Sequence, residues 1–206
     1  LSLFSKKNKI ALAIIILLGF IVYSPALKNG FTDWDDPEYV TENNTIKDIS
    51  LNGLKTIFSD YSTGNYHPLT MLSIAFNYKI SGTKPFSYHL TNNILHLLNV
   101  FFVFVFVFML FKNRIIAITG ALLFGVNAMN VESVAWISER KNLLYALFFL
   151  SSLLSYLKYI DSQKKQYYLL SLLLFFLSCL SKGQAVVLSV VVIFIDYVRN
   201  RNLLNF

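Results

Sequence analysis

Apolar positions in this chain come in long blocks, broken at intervals by short charged clusters. The blocks cover residues 10–27, 87–111, 115–131, 142–160, 166–181 and 184–198, and the charged residues inside them are Lys158 and Asp196. Crossing a hydrocarbon layer of ~30 Å takes about 20 residues of helix. The pattern therefore predicts an all-α polytopic membrane protein with about six transmembrane helices, read as a single domain over residues 1–206. The last three blocks sit near or below that length, so their ends must lean on flanking Lys and Tyr side chains that reach the interface. The first block follows Lys6, Lys7 and Lys9 as a signal peptide's apolar region would. However, no small-residue cleavage site precedes the polar segment, and further spans follow.

Between the first two blocks lies a polar, aromatic, acid-rich segment, residues 28–86. Loops of this length between packed elements are usually functional or disordered. Two amphipathic helices predicted within it argue for order. One runs from Ser50 to Ser59 with Leu51, Leu54, Ile57 and Phe58 on one side. The other starts at Pro68, a residue tolerated in the first helical turn, and carries Leu69, Leu72, Phe76 and Ile80 at near-helical spacing. Both read as helices lying on the membrane surface.

Composition agrees with a membrane solvent: 55% of residues are hydrophobic, 16% aromatic and only 14% charged. With 19 Phe, 12 Tyr, 8 Gly and a single cysteine, the chain is neither disordered, collagen-like nor a disulfide scaffold. The net charge of +7 would suggest nucleic acid if the cations shared a soluble face. Six spans with the N-terminus in the cytoplasm instead place Lys6, Lys7, Lys9, Lys112, Arg114, Lys158, Lys164, Lys165, Arg199 and Arg201 on the inner side, opposed there by Asp161 and Asp196 alone. Eight of the 18 cations and nine of the 11 acids are left outside. The charge is thus a positive-inside topology signal, and nucleic acid is discarded as a partner.

Inner connections are too short to hold a site, so the chemistry is sought outside. Asp33, Asp35, Asp36 and Glu38 fall within six positions close to the first span. Crowded carboxylates near a low-dielectric boundary gain affinity for protons or cations. Asp35 or Asp36 would then act as general base toward an acceptor hydroxyl. The competing reading makes Asp36 the cap of a helix begun by Pro37. The same acids carry the hard oxygen ligands that Mg²⁺ or Mn²⁺ take. In the second outer connection, Glu132, Trp136 and Glu139 precede Arg140 and Lys141, two cations on the side where the charge bias disfavours them. They read either as a grip on an anion such as phosphate or as interfacial anchors of a helix. Lys182, in the third outer turn, carries the same two readings. His67 precedes Pro68, and His89, Asn92, Asn93 and His96 share one face of the second span. Such a stripe serves either a polar pocket or hydrogen bonds between helices. Three scattered histidines give weak support for zinc.

Several stretches occur in order: "NGFTDWDDPEYVTEN" from Asn29, "GNYHPLTMLS" from Gly64, "YHLTNNILHLLN" from Tyr88, "VESVAWISERK" from Val131, "LSK" at Leu180 to Lys182 and "DY" at Asp196 to Tyr197. Together they resemble the N-terminal membrane part of the transmembrane-and-tetratricopeptide-repeat family, O-mannosyltransferase-like members of the GT-C glycosyltransferases with many bacterial relatives. The resemblance covers nearly the whole chain. It departs from the family pattern at Asn127, Ala128 and Asn130, where relatives tend to have His-Pro and a further His, and at Gly183 and Ser189, where they tend to have proline.

This resemblance implies a GT-C-like module, incomplete here, in a bacterial inner membrane with the long first loop outside. The donor would be a sugar on a polyprenyl phosphate in the outer leaflet, and the acceptor a protein or glycan hydroxyl. Asp35 and Asp36 match the family's acidic pair. Arg140, with Lys141 and Lys182, would hold the carrier phosphate. Trp34, Tyr39, His67, His89, Asn92, Glu132 and Glu139 are the candidates for lining the substrate pocket. No repeat of ~34 residues is present, so the chain reads as a fragment of a longer protein. The alternative is a noncatalytic membrane anchor or scaffold for a repeat domain. A transporter is a third reading, weakened by the near absence of intramembrane acids.

Overall fold

The computed structural model describes residues 3, 5–61 and 64–199; Arg201, counted above among the inner cations, lies outside them. The described residues form α-helices and no strands. They are α1 (Lys6–Tyr23), α2 (Leu51–Ser59), α3 (Pro68–Ser81), α4 (Pro85–Phe111), α5 (Arg114–Gly125), α6 (Val131–Ala135), α7 (Arg140–Ser162), α8 (Lys165–Ser181) and α9 (Leu188–Val198).

Three helical stretches, Lys6–Lys28, Pro85–Phe111 and Arg140–Ser162, are long and apolar enough to cross a membrane. The third expected span is not one straight helix. It divides into Arg114–Gly125 and Ala128–Ala135, bent by 48°, and passes as a span only if the pair counts as one. The break sits where the Asn127 side chain accepts the Met129 N–H (3.0 Å) and Asn130 donates back to the Phe124 carbonyl (2.8 Å). Short polar side chains that satisfy backbone groups locally compete with helix continuation. Lys165–Ser181 and Gly183–Val198 are shorter apolar helices, as their block lengths anticipated. By length and apolarity, then, three or four of the six expected segments qualify.

The helices pack through small residues and buried aliphatics. At Gly19 of α1 an added Cβ would come within 3.2 Å of Leu97 and 3.3 Å of the Gly125 carbonyl, so hydrogen there lets α1 lie close on α4 and α5. Leu12, Ile15, Val100, Phe104, Phe108, Ala117 and Ala121 fill that junction, while Ile10, Leu17 and Ile21 on the opposite side of α1 are exposed. An apolar helix exposed on one flank fits a lipid neighbour. Antiparallel α7 and α8 are drawn together by serines: Ser152 donates to Ser171 O (2.8 Å) and Ser178 to Tyr145 O (2.9 Å). Lys112 and Gln163, both left-handed (φ 54° and 56°), close the tight α4–α5 and α7–α8 connections.

The long segment between α1 and α4 is folded against the helices. Tyr39, Val40, Ile46, Ile57, Met71, Ile74, Ala75, Tyr88 and Ile137 make a core of their own at that end. Helix α2 starts at Ser50, whose hydroxyl caps Gly53 N–H (3.3 Å), and α3 has Pro68 in its first turn, as predicted. The faces turned toward the protein are not the apolar stripes read from the sequence as membrane-surface faces. In α2, Gly53 and Ile57 turn inward, whereas Leu51 is 80% exposed. In α3 the inward face is Thr70, Met71, Ile74, Ala75 and Asn77, a mixed stripe. The Leu69, Leu72, Phe76 and Ile80 stripe lies on the outer flank with Ile80 80% exposed, where it forms an apolar groove with Leu144 and Phe148.

Candidate active site

The acidic segment reaches the rest of the protein through Asp36. Its side chain is fully buried, and both oxygens are occupied: Oδ2 accepts from Thr32 N (2.8 Å) and Thr32 Oγ1 (3.1 Å), Oδ1 from Ser138 N (3.1 Å) and Ser138 Oγ. Asp36 therefore does not cap the turn begun by Pro37, although that turn exists over Pro37–Thr41. Asp35 has a different environment. Its side chain is 31% exposed and lies 3.7 Å from Lys141 Nζ. Of the two aspartates, Asp35 keeps access to solvent. Trp34 is 79% exposed and stands away from the core.

The wide turn Pro37–Thr41 buries Tyr39, whose ring stacks on His67 with centroids 5.2 Å apart. Lys141 sits over the same ring, 5.1 Å from its centroid, pairs with Glu139 at 2.8 Å, and reaches the Tyr39 hydroxyl at 3.5 Å. Burial, reinforced by Lys141, depresses the His67 pKa to about 4, so this imidazole is neutral at physiological pH.

The segment between α6 and the start of α7 is clamped at alternate residues. Trp136 O accepts from Asn92 Nδ2 (3.1 Å), Ser138 binds Asp36, Arg140 binds α3 and α4, and Asn142 donates to Ser133 Oγ (3.2 Å) and to Glu139. Glu139 and Lys141, in between, face the Asp35 side. Arg140 has no exposed surface. Its Nε donates to Asn92 Oδ1 (2.8 Å), one terminal nitrogen to Ser73 O and Oγ (3.2 Å each) and Asn77 Oδ1 (2.5 Å), and the other to Tyr88 O (3.0 Å), whose ring the guanidinium also faces at 5.7 Å. A fork spent in this way on neutral acceptors holds three helices together and is not presented to a ligand.

Lys182 is presented differently. With Asn65, Tyr66, His67, Lys141, Cys179 and Gly183 it lines a cavity of about 330 Å³ at the end of α8, and its Nζ donates to Asn142 Oδ1. Burial is the main cause holding its ammonium below the ordinary lysine value, with Lys141 adding to the effect. The structure thus gathers Asp35, Tyr39, His67, Glu139, Lys141 and Lys182 around one site. Glu132 is exposed on α6 and reaches the site only at longer range, as a charge that favours the Lys182 ammonium.

The polar stripe of α4 bonds neighbouring segments through one ring or amide nitrogen per residue, while His89 Nδ1, Asn93 Oδ1, His96 Nδ1 and Asn99 Oδ1 are buried with no hydrogen-bond partner among the described residues. His89 Nε2 bonds Gly30 O (3.3 Å), Asn93 Nδ2 reaches Tyr23 O (3.4 Å), and His96 Nε2 bonds Gly125 O (3.1 Å). Asn92 bridges Trp136 and Arg140. Sequence reasoning missed Thr32, Ser73, Asn77, Asn99 and Ser138. Asn99, bonded to Leu143 O at 2.9 Å, continues the α4 stripe by one helical step and was detectable in that way. The others had no local signal. Among the described residues no group of three or more His, Cys, Asp or Glu is placed to hold a metal ion. With Asp36 occupied by Thr32 and Ser138, and Asp35 facing Lys141, the acidic segment does not fit an Mg²⁺ or Mn²⁺ cage.

No family model and no solved structure matches the chain. Curated relatives do. Protein O-mannosyl-transferase TMTC3 of Mus musculus is 34% identical over 146 residues, 66% of this chain and 15% of that protein. Protein O-mannosyl-transferase F38B6.6 of Caenorhabditis elegans is 30% identical over 205 residues, 93% of this chain and 28% of that protein. Protein O-mannosyl-transferase Tmtc1 of Drosophila melanogaster is 28% identical over 190 residues, 88% and 22% respectively. The chain thus spans under a third of the length of these relatives. These similarities place the chain in the TMTC-like family, whose curated members are named protein O-mannosyl-transferases.

Proposed function

We propose that the chain is the catalytic membrane portion of a protein glycosyltransferase that moves a sugar from a polyprenyl phosphate to an acceptor hydroxyl on the outer side of the membrane. The observation that carries this reading is the Asp35–Lys141 pair, a solvent-accessible carboxylate 3.7 Å from an ammonium. Such a pair supplies both halves of the reaction. The Asp35 carboxylate takes the proton of the acceptor hydroxyl as its oxygen forms a bond to the sugar's anomeric carbon. The bond from that carbon to the carrier phosphate oxygen breaks with its electron pair, and the freed lipid phosphate carries the added negative charge. Lys141, with Lys182, stabilises that charge as it develops. Attack from the face opposite the leaving phosphate inverts the anomeric configuration.

Asp36 holds Asp35 in place through Thr32 and Ser138, and Glu139 and Tyr39 hold Lys141. The names of the relatives support a protein acceptor and a mannosyl-type sugar. The test is transfer of radiolabelled sugar from polyprenyl-phosphate donors to membrane and envelope protein, using membranes carrying the complete parent protein or its Asp35→Asn variant. Label dependent on Asp35 is expected. Equal labelling by both would remove the base assignment, and no labelling by either across a panel of donor sugars would favour a noncatalytic scaffold.

A further inference from the structure

We propose that the corner formed by the start of α1 and the turn between α4 and α5 is a binding site for an anionic phospholipid, with the headgroup phosphate on Lys6, Lys7, Lys112 and Arg114 and one acyl chain along the exposed ridge of α1. The first turn of α4 faces the acidic segment through His89 and Gly30, whereas this corner lies beyond its last turn at Phe111. It is thus at the far end of α4 from the candidate active site, and the proposal stands independently of the transferase reading.

Charge is the first argument. Lys6, Lys7 and Lys9 fall in the first turn of α1, and Lys112 and Arg114 flank Asn113, the cap of α5. Arg114 joins the two groups, because one of its terminal nitrogens donates to the Lys7 carbonyl (3.3 Å) across 107 residues of chain. The four lysines are exposed. Among the described residues no carboxylate lies within 4.0 Å of any of these cations; the ion pairs present join Lys141 to Asp35 and Glu139, and Arg199 to Asp161. The Lys7 bond engages one of the guanidinium donors of Arg114, so donor capacity remains for phosphate oxygens, which a guanidinium suits. Like charges held together in this way gain from an anion between them.

Shape is the second argument. Lys7, Ile10, Ile14, Leu17 and Ile21 follow one another at steps of three and four and share one face of α1. The four apolar members are 52%, 52%, 58% and 56% exposed, while Leu12 and Ile15 turn into the junction with α4 and α5. From Ile10 to Ile21 the ridge rises ~16 Å, close to the ~15 Å that one leaflet contributes to the hydrocarbon layer. Ile115, 74% exposed, adds apolar surface beside Arg114. A cation cluster at the head of an apolar ridge of acyl-chain length fits an anionic amphiphile, and basic corners between membrane helices take such headgroups. A zwitterionic headgroup would bring its own cation against the lysines, and a soluble phosphate would leave the ridge unused.

The complete protein, purified in detergent and stripped of lipid, would be titrated with phosphatidylglycerol, with phosphatidylcholine of the same acyl chains, or with glycerol 3-phosphate, and the bound molecules followed by native mass spectrometry. Phosphatidylglycerol is expected to bind more tightly than phosphatidylcholine and to resist displacement by glycerol 3-phosphate. Each cation close to an anionic lipid is worth about fivefold in affinity. Lys7→Gln, Lys112→Gln and Arg114→Gln together should therefore weaken phosphatidylglycerol binding by about 100-fold and leave phosphatidylcholine binding unchanged. The same replacement of Lys47, Lys55 and Lys84, exposed cations of the segment between α1 and α4, should change neither. Should the first triple variant fail to fold, Lys6→Glu with Lys7→Glu, both at exposed positions, carries the test, and a loss at least as large is expected. Equal affinity for the two lipids, or an equal loss on replacing Lys47, Lys55 and Lys84, would mean a general lipid coat and overturn the proposal. Displacement by glycerol 3-phosphate at matched concentration would make the corner a site for a soluble anion and overturn it too. Undiminished phosphatidylglycerol binding by the folded variants would do the same, and would assign the α1 ridge to another protein segment.

Discussion

Asp36 and Ser138 are 102 residues apart in the chain, yet the Asp36 carboxylate accepts both the backbone N–H and the hydroxyl of Ser138. This contact ties the acidic first loop to the segment that carries Lys141. It divides the two neighbouring aspartates into a buried strut and an accessible acid.

That division predicts different outcomes at adjacent positions. Asp36→Asn puts an amide where Thr32 and Ser138 both donate, leaving at least one buried donor unsatisfied, and should lower stability by about 1–3 kcal/mol. Asp35→Asn, at a part-exposed position, should change stability by no more than ~0.5 kcal/mol. Thermal unfolding of the two variants in detergent checks this, and a larger loss for Asp35→Asn would contradict the assignment.

Arg140 is predicted to act through packing. Arg140→Lys keeps the charge but cannot reach Asn92, Asn77, Ser73 and Tyr88 at once. Hydrogen bonds to charged groups are worth about 1.5–3 kcal/mol each, so a loss of about 2–3 kcal/mol or more in stability is expected, with the affinity of the remaining folded protein for donor unchanged. Donor titration beside a melting curve separates the two; weaker donor binding at undiminished stability would restore the phosphate role.

His67 gives a pH dependence of definite sign. Burial and Lys141 lower its pKa from 6.5 to about 4 in the folded protein. Between these values the unfolded chain binds the proton and the folded one does not, so the stabilisation is complete above pH ~6.5 and is lost as pH falls toward 4. The contribution is at most about 3 kcal/mol. Unfolding midpoints measured from pH 7 to 4 should fall more steeply for the unaltered protein than for His67→Phe, which keeps a ring for the Tyr39 stack; parallel curves would contradict the assignment.

Gly53 should reverse the usual helix-propensity rule. Alanine at an exposed helical glycine typically stabilises by ~1 kcal/mol. Here an added Cβ would lie 2.0 Å from the Asp48 carbonyl oxygen, a backbone atom that cannot swing aside. Gly53→Ala should instead destabilise by about 1–3 kcal/mol, measurable as faster amide exchange in α2. An unchanged exchange rate would mean that the Asp48–Gly53 approach is looser than the structure has it.

Elements whose information is local were readable from the sequence. Apolar blocks located α1, α4, α7 and α8 to within a few residues, and Ser50 and Pro68 marked the starts of α2 and α3. The break at Asn127 was missed because an apolar run masks one side chain's capping bond. The candidate site was legible in part: Asp35, Tyr39, His67, Glu139, Lys141 and Lys182 do converge. Arg140 was misleading because a cation between apolar blocks looks the same in sequence whether it faces a ligand or neutral acceptors on four residues of α3 and α4. Those acceptors lie 48 to 67 residues away, and no spacing rule connects them.

The most direct test of the transferase account is the initial rate of sugar transfer from a polyprenyl-phosphate donor by the complete protein, its Asp35→Asn variant and its Asp36→Asn variant, each normalised to folded protein. Loss of a general base costs about 10²–10⁴-fold. The account predicts a loss of that size for Asp35→Asn and near-normal specific activity for whatever Asp36→Asn protein folds. Undiminished transfer by folded Asp35→Asn protein would contradict it.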